Sequence, residues 1–307
     1  MTPYPRDLVG YGRRPVDPRW PGGARVAVQI VVNYEEGGEH SVLHGDTHAE
    51  AFLTEEPAAA VPNLRNINVE SQYEYGSRAG FWRLHRLLTQ RRVPVTVYGI
   101  AEALARNPEA VAAMQEADWE IASHGLRWID YAQVPPVVER EHIRRAIEMH
   151  TESTGARPNG WYTGRMSPRT RELLVEAGGF RYDSDSFADD LPYWVDVAGT
   201  RHLVIPYTLD NNDGRYLNSY GYGGQRFSDY LISAFDLLHA EGADAPKMMS
   251  IGLHCRIAGR PGRAADLARF LDHVTAHDGV WLTRRIDIAE HWHTHHRTAP
   301  APAAASG

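Results

Sequence analysis

Two histidines and a pair of glutamates carry the reactive potential of this sequence. His124 closes the segment E-I-A-S-H and His254 closes S-I-G-L-H, each at the end of a short apolar run that reads as a β-strand. Glu35 and Glu36 follow a third such run, in N-Y-E-E-G-G. Imidazoles and carboxylates together supply the acid and the base that amide hydrolysis needs. Neighbouring side chains on extended backbone point to opposite sides, so Glu35 and Glu36 should meet different environments and differ in pKa. One could then act as general base and the other as its orienting partner; a solvated acidic turn fits the motif equally well. Other strand-like segments are followed by Arg165, by Asp183 and Asp185, and by Asp210 and Asp213. The three residues Asp183, Asp185 and Asp213 read as hydrogen-bonded loop groups rather than catalysts. His44, in L-H-G-D, is a further site candidate. Cys255 should face the surrounding helices and pack as a small apolar group.

The elements that must position these groups alternate. Strands are expected at 26–32, 95–100, 119–123, 160–163, 180–183, 203–206, 248–254 and 280–283, and helices at 81–90, 108–117, 137–151, 168–177, 227–240 and 264–276. Asn107 before Pro108 and Ser167 before Pro168 look like N-caps followed by a first-turn proline, and Gly178 and Gly242 follow helix ends. Strands alternating with helices argue for an α/β chain with a parallel sheet, closed or distorted into a barrel whose reactive groups gather at the C-terminal strand ends. Residues 35–77 break the rhythm with a long stretch rich in Gly, His and Glu. The histidine-rich H-W-H-T-H-H, from His291 to His296, reads as a solvated helix end, and the stretch after it as a disordered tail.

Bulk properties narrow the partners. The 307 residues carry a formal net charge of −7, so the chain lacks the basic footprint expected of a nucleic-acid or anionic-membrane binder. A lone cysteine excludes a disulfide framework and a multi-cysteine zinc site. No apolar run approaches the ~20 residues that span a bilayer, and M-T-P-Y-P-R-D-L-V-G has no signal-like apolar core, so a cytoplasmic location and a small neutral substrate are expected.

The order of motifs resembles the polysaccharide deacetylase superfamily, over roughly residues 26–281. That resemblance implies a single-domain distorted (β/α) barrel at 26–296, with an insertion at about 35–77, an N-terminal extension at 1–25 and a tail at 297–307. It also implies hydrolysis of acetamido groups with a divalent metal. Glu35 and Glu36 stand where the family has an aspartate pair, base and metal ligand. His124 matches the first histidine of the metal motif, and the second histidine is replaced by Trp128. Trp161 to Arg165 replaces the aromatic-Arg-Pro loop, Tyr207 to Asp213 keeps the W-x-x-D-x-x-D spacing, and Leu253 with His254 represents the general-acid motif. An indole offers only an N–H donor, so the usual metal triad is broken.

Longer motifs are similar to those of a narrower group, the metal-independent allantoinases. They are E-E-G-G-E, L-H-G-D, E-Y-G-S-R-A-G, S-H-G-L-R-W-I-D-Y, G-W-Y-T-G-R, Y-D-S-D, D-D-L-P-Y-W, I-P-Y-T-L-D and G-L-H-C-R. This likeness implies opening of the hydantoin ring of allantoin to allantoate, with no cofactor and in a homotetramer. Glu35 would be the base, Glu36 and His124 would orient water or substrate, and His254 would be the acid. Arg165 would hold the oxyanion or the ureido group, Trp128 would close the vacated metal position, and Tyr162, Asp210 and His44 would complete the substrate site. A cyclic imide hydrolase, a metal-dependent deacetylase and a non-catalytic binding relative are the alternatives.

Overall fold

Strand β1, Val26–Tyr34, is a run of mostly β-branched residues buried along its whole length, and its alternation organises the molecule. Val26, Val28, Ile30, Val32 and Tyr34 join the largest apolar cluster, shared with the surrounding helices. The opposite face carries Ala27, Gln29, Val31 and Asn33 into the hollow of the sheet. The computed structural model describes residues 4, 6–13, 15–55, 60–217 and 226–297.

The other strands are β2 Val95–Gly99, β3 Glu120–Ser123, β4 Gly160–Trp161, β5 Tyr182–Asp183, β6 Tyr193–Val197, β7 Thr200–Val204, β8 Lys247–His254 and β9 Val280–Leu282. They lie in the order β6-β7-β5-β4-β3-β2-β1-β8, with β9 against the start of β1. Every pairing is parallel except β6 with β7. Among the described residues no ladder joins β7 to β8, and one bridge, Asn212 to Gly252, spans the gap. The result is a single α/β domain built on a curled, incompletely closed barrel. The sequence reading omits β6 because its partner arrives through a tight turn, Ala198 and Gly199, both at positive φ.

Helices α1 Ile67–Tyr75, α2 Phe81–Gln90, α3 Ala101–Arg106, α4 Pro108–Glu116, α5 Pro136–Thr154, α6 Thr170–Ala177, α7 Phe227–Glu241, α8 Cys255–Ala258, α9 Pro261–Thr275 and α10 Arg285–His295 complete the fold. Asn107 caps α4 through its side chain, accepting from the backbone of Ala110, as its place before Pro108 predicts. Within the insertion, α1 runs through a π-helical turn, Gly76–Gly80, straight into α2. A Cβ at Gly80 would lie 2.0 Å from the Cys255 carbonyl oxygen, so glycine is what lets this turn reach the barrel rim.

Both chain ends are tied to the barrel. Within the N-terminal extension Trp20 is buried, its indole N–H donates to the Lys247 carbonyl at 2.9 Å, and its ring packs on Trp281 and Trp292. The histidine-rich stretch is the expected helix end, closing α10, but only Thr294 and His295 are exposed: Trp292 is fully buried, and His291 and the capping His296 donate to the Pro18 carbonyl at 2.7 and 2.9 Å. Residues 298–307, most of the expected tail, lie outside the described residues. No helix among the described residues is long and apolar enough to cross a membrane.

Candidate active site

The alternation of β1 continues one residue past its end and delivers Glu35 into the mouth of the barrel. Its carboxylate Oε1 lies 3.3 Å from Nε2 of His124, just beyond β3, and 3.4 Å from Nε2 of His254, at the end of β8. Oε2 accepts from Nη1 of Arg256 at 2.7 Å. All four side chains are buried. They meet because β1 pairs with β8 in register, setting Asn33 opposite His254, and β2 sits between β1 and β3.

The charges are set by these neighbours. Burial pushes the Glu35 carboxyl up, but the charges of His254 and Arg256 hold it well below the usual carboxylate range. Burial pushes His254 down, and the Glu35 and Asp213 charges overcome it, raising the imidazole to about 9. At neutral pH Glu35 is therefore ionised and His254 protonated. Asp213 holds the imidazolium by geometry: Oδ1 accepts a hydrogen bond from the Nδ1–H of His254 at 2.6 Å, and Oδ2 accepts from the backbone N–H groups of His254 and Ala258 at 2.7 and 3.0 Å. The sequence reading placed Asp213 among loop groups; it is the carboxylate that orients His254. Asp183 and Asp185 are structural as expected: Asp183 pairs with Arg171 and His202, and Asp185 binds the backbone N–H groups of Thr163 and Gly164.

His124 is fixed differently. Nδ1 donates to the Tyr162 carbonyl at 2.8 Å, a tautomer that turns Nε2 as an acceptor toward the cavity, where that atom has no hydrogen-bond partner in the protein. The Tyr162 ring lies tilted alongside, its centre 5.0 Å from that of His124, and Tyr162 lines the cavity with Tyr207.

Around this group opens a cavity of about 390 Å³. The insertion supplies one wall, Phe52 and Leu53, and Trp128, Arg165, Phe187, Leu209 and Arg215 supply much of the rest. The guanidinium of Arg165 lies 3.7 Å from the Trp128 ring centre and 5.0 Å from that of Phe52, with Nη1 on Glu50 at 3.3 Å. Its Nη2 has no partner in the protein. Asp185 anchors the loop that carries it, through Thr163 and Gly164.

Three expected members lie elsewhere. Glu36 points the other way, as strand alternation demands, against Gly76, where a Cβ would meet its Oε1 at 2.2 Å. Burial raises its carboxyl to about 7, Arg256 opposing and Glu35 reinforcing the shift. Asp210 is exposed and accepts from Thr208 at 2.9 Å, because the chain past β7 turns its side chain outside the mouth. His44 sits on the outer side of the insertion, its Nδ1 3.1 Å from the Glu39 carbonyl and 3.3 Å from Arg127, which pairs with Asp46. Cys255 is buried, with Sγ 3.8 Å from the Asn33 carbonyl, in the packing role assigned to it.

Sequence reasoning missed Arg256 as a site residue. It stands in G-L-H-C-R, but α8 begins directly after His254, and that helical turn swings Arg256 back over Glu35, Tyr73 and Trp128. A metal implied by family resemblance does not fit these donors. Trp128 has no lone pair to offer, Glu36 faces away, and His254 Nε2 carries a proton. Among the described residues the one trio of ligating atoms within 4.8 Å of one another is Asp236, His273 and His277, on the outside of the barrel.

Comparison with known proteins agrees with this architecture. The polysaccharide deacetylase family profile matches residues 65–179. A Schizosaccharomyces pombe protein bearing the polysaccharide deacetylase name is 43% identical over 95% of this chain and 98% of its own. A crystal structure from Pseudomonas aeruginosa PAO1 under the same name superposes with a TM-score of 0.93 at 56% identity, covering 95% of this chain and 99% of that one. The crystal structure of PuuE allantoinase superposes with a TM-score of 0.93 at 54% identity, covering 95% and 98%.

Proposed function

This chain belongs to the polysaccharide deacetylase family, and within it we propose that it is an allantoinase, a cyclic amide hydrolase that opens the hydantoin ring without a metal at its catalytic centre. The observation that carries the reading is the mouth of the barrel. Trp128, beneath the Arg165 guanidinium, fills the place of a metal-binding histidine, while an ionised Glu35 and a protonated His254 face each other across 3.4 Å. The likeness to PuuE allantoinase across nearly the whole chain supports the substrate.

The chemistry follows from the proton inventory. Glu35 Oε1 and His124 Nε2 are two acceptors 3.3 Å apart, and a water that donates one hydrogen to each is held with a lone pair toward the cavity. That water attacks the amide carbonyl beside the ring CH, and Glu35 takes its proton as the C–O bond forms. Arg165 Nη2, lacking a protein partner, supplies a donor for the oxygen that gains charge. When the ring C–N bond breaks, the departing nitrogen takes the His254 Nε2 proton, and Asp213 stabilises the imidazolium until then. The products are a carboxylate and a second ureido group. Phe52, Trp128 and Leu209 give the flat ring apolar walls.

The test is turnover of allantoin by chelator-treated, metal-analysed protein, beside an N-acetylated sugar and a simple cyclic imide. Allantoin hydrolysis without stoichiometric metal is expected, and Glu35→Gln should lower kcat by roughly two to four orders of magnitude. Activity that returns only with zinc, or only on the acetylated sugar, would reject this reading in favour of deacetylation. The same reading carries a homotetramer, which light scattering of the purified chain checks.

A further inference from the structure

Helices α7 and α9 pack side by side on the outside of the barrel and bring together three groups that the reaction does not use. Asp236 lies on α7, His273 on α9, and His277 two residues beyond the end of α9, four after His273. One ligating atom from each falls within 4.8 Å of the others. Asp236 Oδ1 and His273 Nε2 are 2.7 Å apart, a pairing that by itself would be an ordinary surface contact.

His277 makes the difference. Its Nδ1 donates to the His273 carbonyl at 2.9 Å, which fixes the tautomer and leaves the Nε2 lone pair free to bind. A backbone carbonyl holding the second ring nitrogen is the arrangement that orients metal-binding histidines. The ring of the fully buried Phe235 forms a floor beneath both imidazoles, with centroids 5.7 and 5.2 Å from His273 and His277. His239 borders the group, its ring 5.4 Å from His277 and its Nε2 turned to the Asp278 carbonyl. Asp236 and His273 are half-exposed, so water can complete a coordination shell.

We propose that Asp236, His273 and His277 form a binding site for a divalent transition metal that clasps α7 to α9. Two imidazoles with one carboxylate suit zinc, nickel or copper, whereas magnesium and calcium prefer all-oxygen shells. Metal–ligand distances of about 2.0–2.2 Å need only small side-chain movements here, with the Asp236 to His273 hydrogen bond giving way to the ion. Because the three ligands come from α7, from α9 and from the turn that follows α9, binding favours the folded state over the unfolded one.

Chelator-stripped full-length protein should bind one zinc ion per chain in a calorimetric titration. Its melting temperature should rise by roughly 5 °C or more when free zinc exceeds its Kd a hundredfold. His277→Ala and Asp236→Asn, at surface positions, should melt like the parent without metal, lose the zinc-induced shift and bind at least about tenfold more weakly. Hydrolytic turnover should be unchanged in both, which separates this metal from the catalytic centre. The site is overturned if the parent chain binds no zinc below about 100 μM, or if both variants keep the parent's zinc affinity and shift.

Discussion

Two arginines lie buried in the hollow of one sheet, and they are treated in opposite ways. Arg285, at the closed end, is fully enclosed, and every nitrogen of its guanidinium has partners. Nε donates to Ser184, Nη1 to Gln29 and Ser250, and Nη2 to Ser184 and to the carbonyls of Ile205 and Pro206. Arg256, at the open end, gives Nη1 to Glu35 and Nε to Leu53 and leaves Nη2 without a protein partner. Around it His124 Nε2 and Arg165 Nη2 are also unpartnered. A buried polar group with no partner carries a desolvation cost of about 1–3 kcal/mol, so such groups survive where something else binds them. The guanidinium at the closed end is saturated, and the one at the open end, like its neighbours His124 and Arg165, is not.

The sharpest way to break that contrast is through the acid. Asp213 belongs to the reactive end because it holds His254 protonated. Above about pH 9 His254 loses its proton, so kcat/KM should fall on the alkaline side near that value. Asp213→Asn removes one of the charges that raise His254 and the carboxylate that fixes its Nδ1–H. The alkaline limb should move to lower pH, and kcat should drop on the order of a thousandfold. A pH–rate profile that keeps its alkaline limb in Asp213→Asn would take Asp213 out of the reaction and return it to the framework.

The closed end should respond in stability instead. Arg285→Met leaves the acceptors of Gln29, Ser250, Ser184, Ile205 and Pro206 buried without their donor. Breaking such a network costs about 3–5 kcal/mol, measured as a lower urea midpoint, while kcat per folded molecule stays within about tenfold of the parent. A large kcat loss at unchanged stability would reverse the assignment of the two ends.

How far these roles were legible in the sequence depends on the range of the signal. Glu35, His124, Arg165 and His254 were found because each ends or follows a β-like run, and strand period and the barrel rule are local. The opposite orientations of Glu35 and Glu36 follow from the same period, although which of them enters the mouth was not decidable without the register of β1 on β8. Asp213 and Arg256 depend on longer relations. Asp213 meets His254 only because 211–213 lie along β8 at the barrel gap, and Arg256 turns inward only because α8 starts at once after the strand. His291 and His296 looked like a solvated end because nothing local announces that Pro18 will lie beside them. Antiparallel β6 was missed for a similar reason, since its hairpin turn uses Ala198 at positive φ, without the Asn or Asp that usually signals one.

The smallest effect concerns Glu36, which stands between the two behaviours: it is buried, its Oε1 lacks a partner, and it faces away from the cavity. Burial first, and then the Glu35 charge, raise it from 4.5 to about 7 against the pull of Arg256. Below pH 4.5 its carboxyl is protonated in both folded and unfolded chains and carries no penalty. Between 4.5 and about 7 the folded chain keeps a proton that the unfolded chain has released, so stability declines as pH rises through that window. Glu36→Gln removes the titration. Its stability should match the parent near pH 4.5 and exceed it at pH 8 by an amount on the order of 3 kcal/mol at most, read from urea midpoints at both pH values. Its kcat should stay within about tenfold of the parent, because the proposed base is Glu35, which lines the cavity, and not Glu36. Loss of activity as deep as in Glu35→Gln, with no gain in stability at pH 8, would show that the unpartnered oxygen of Glu36 serves the reaction from behind, and that the border between framework and site runs through Gly76 rather than through β1.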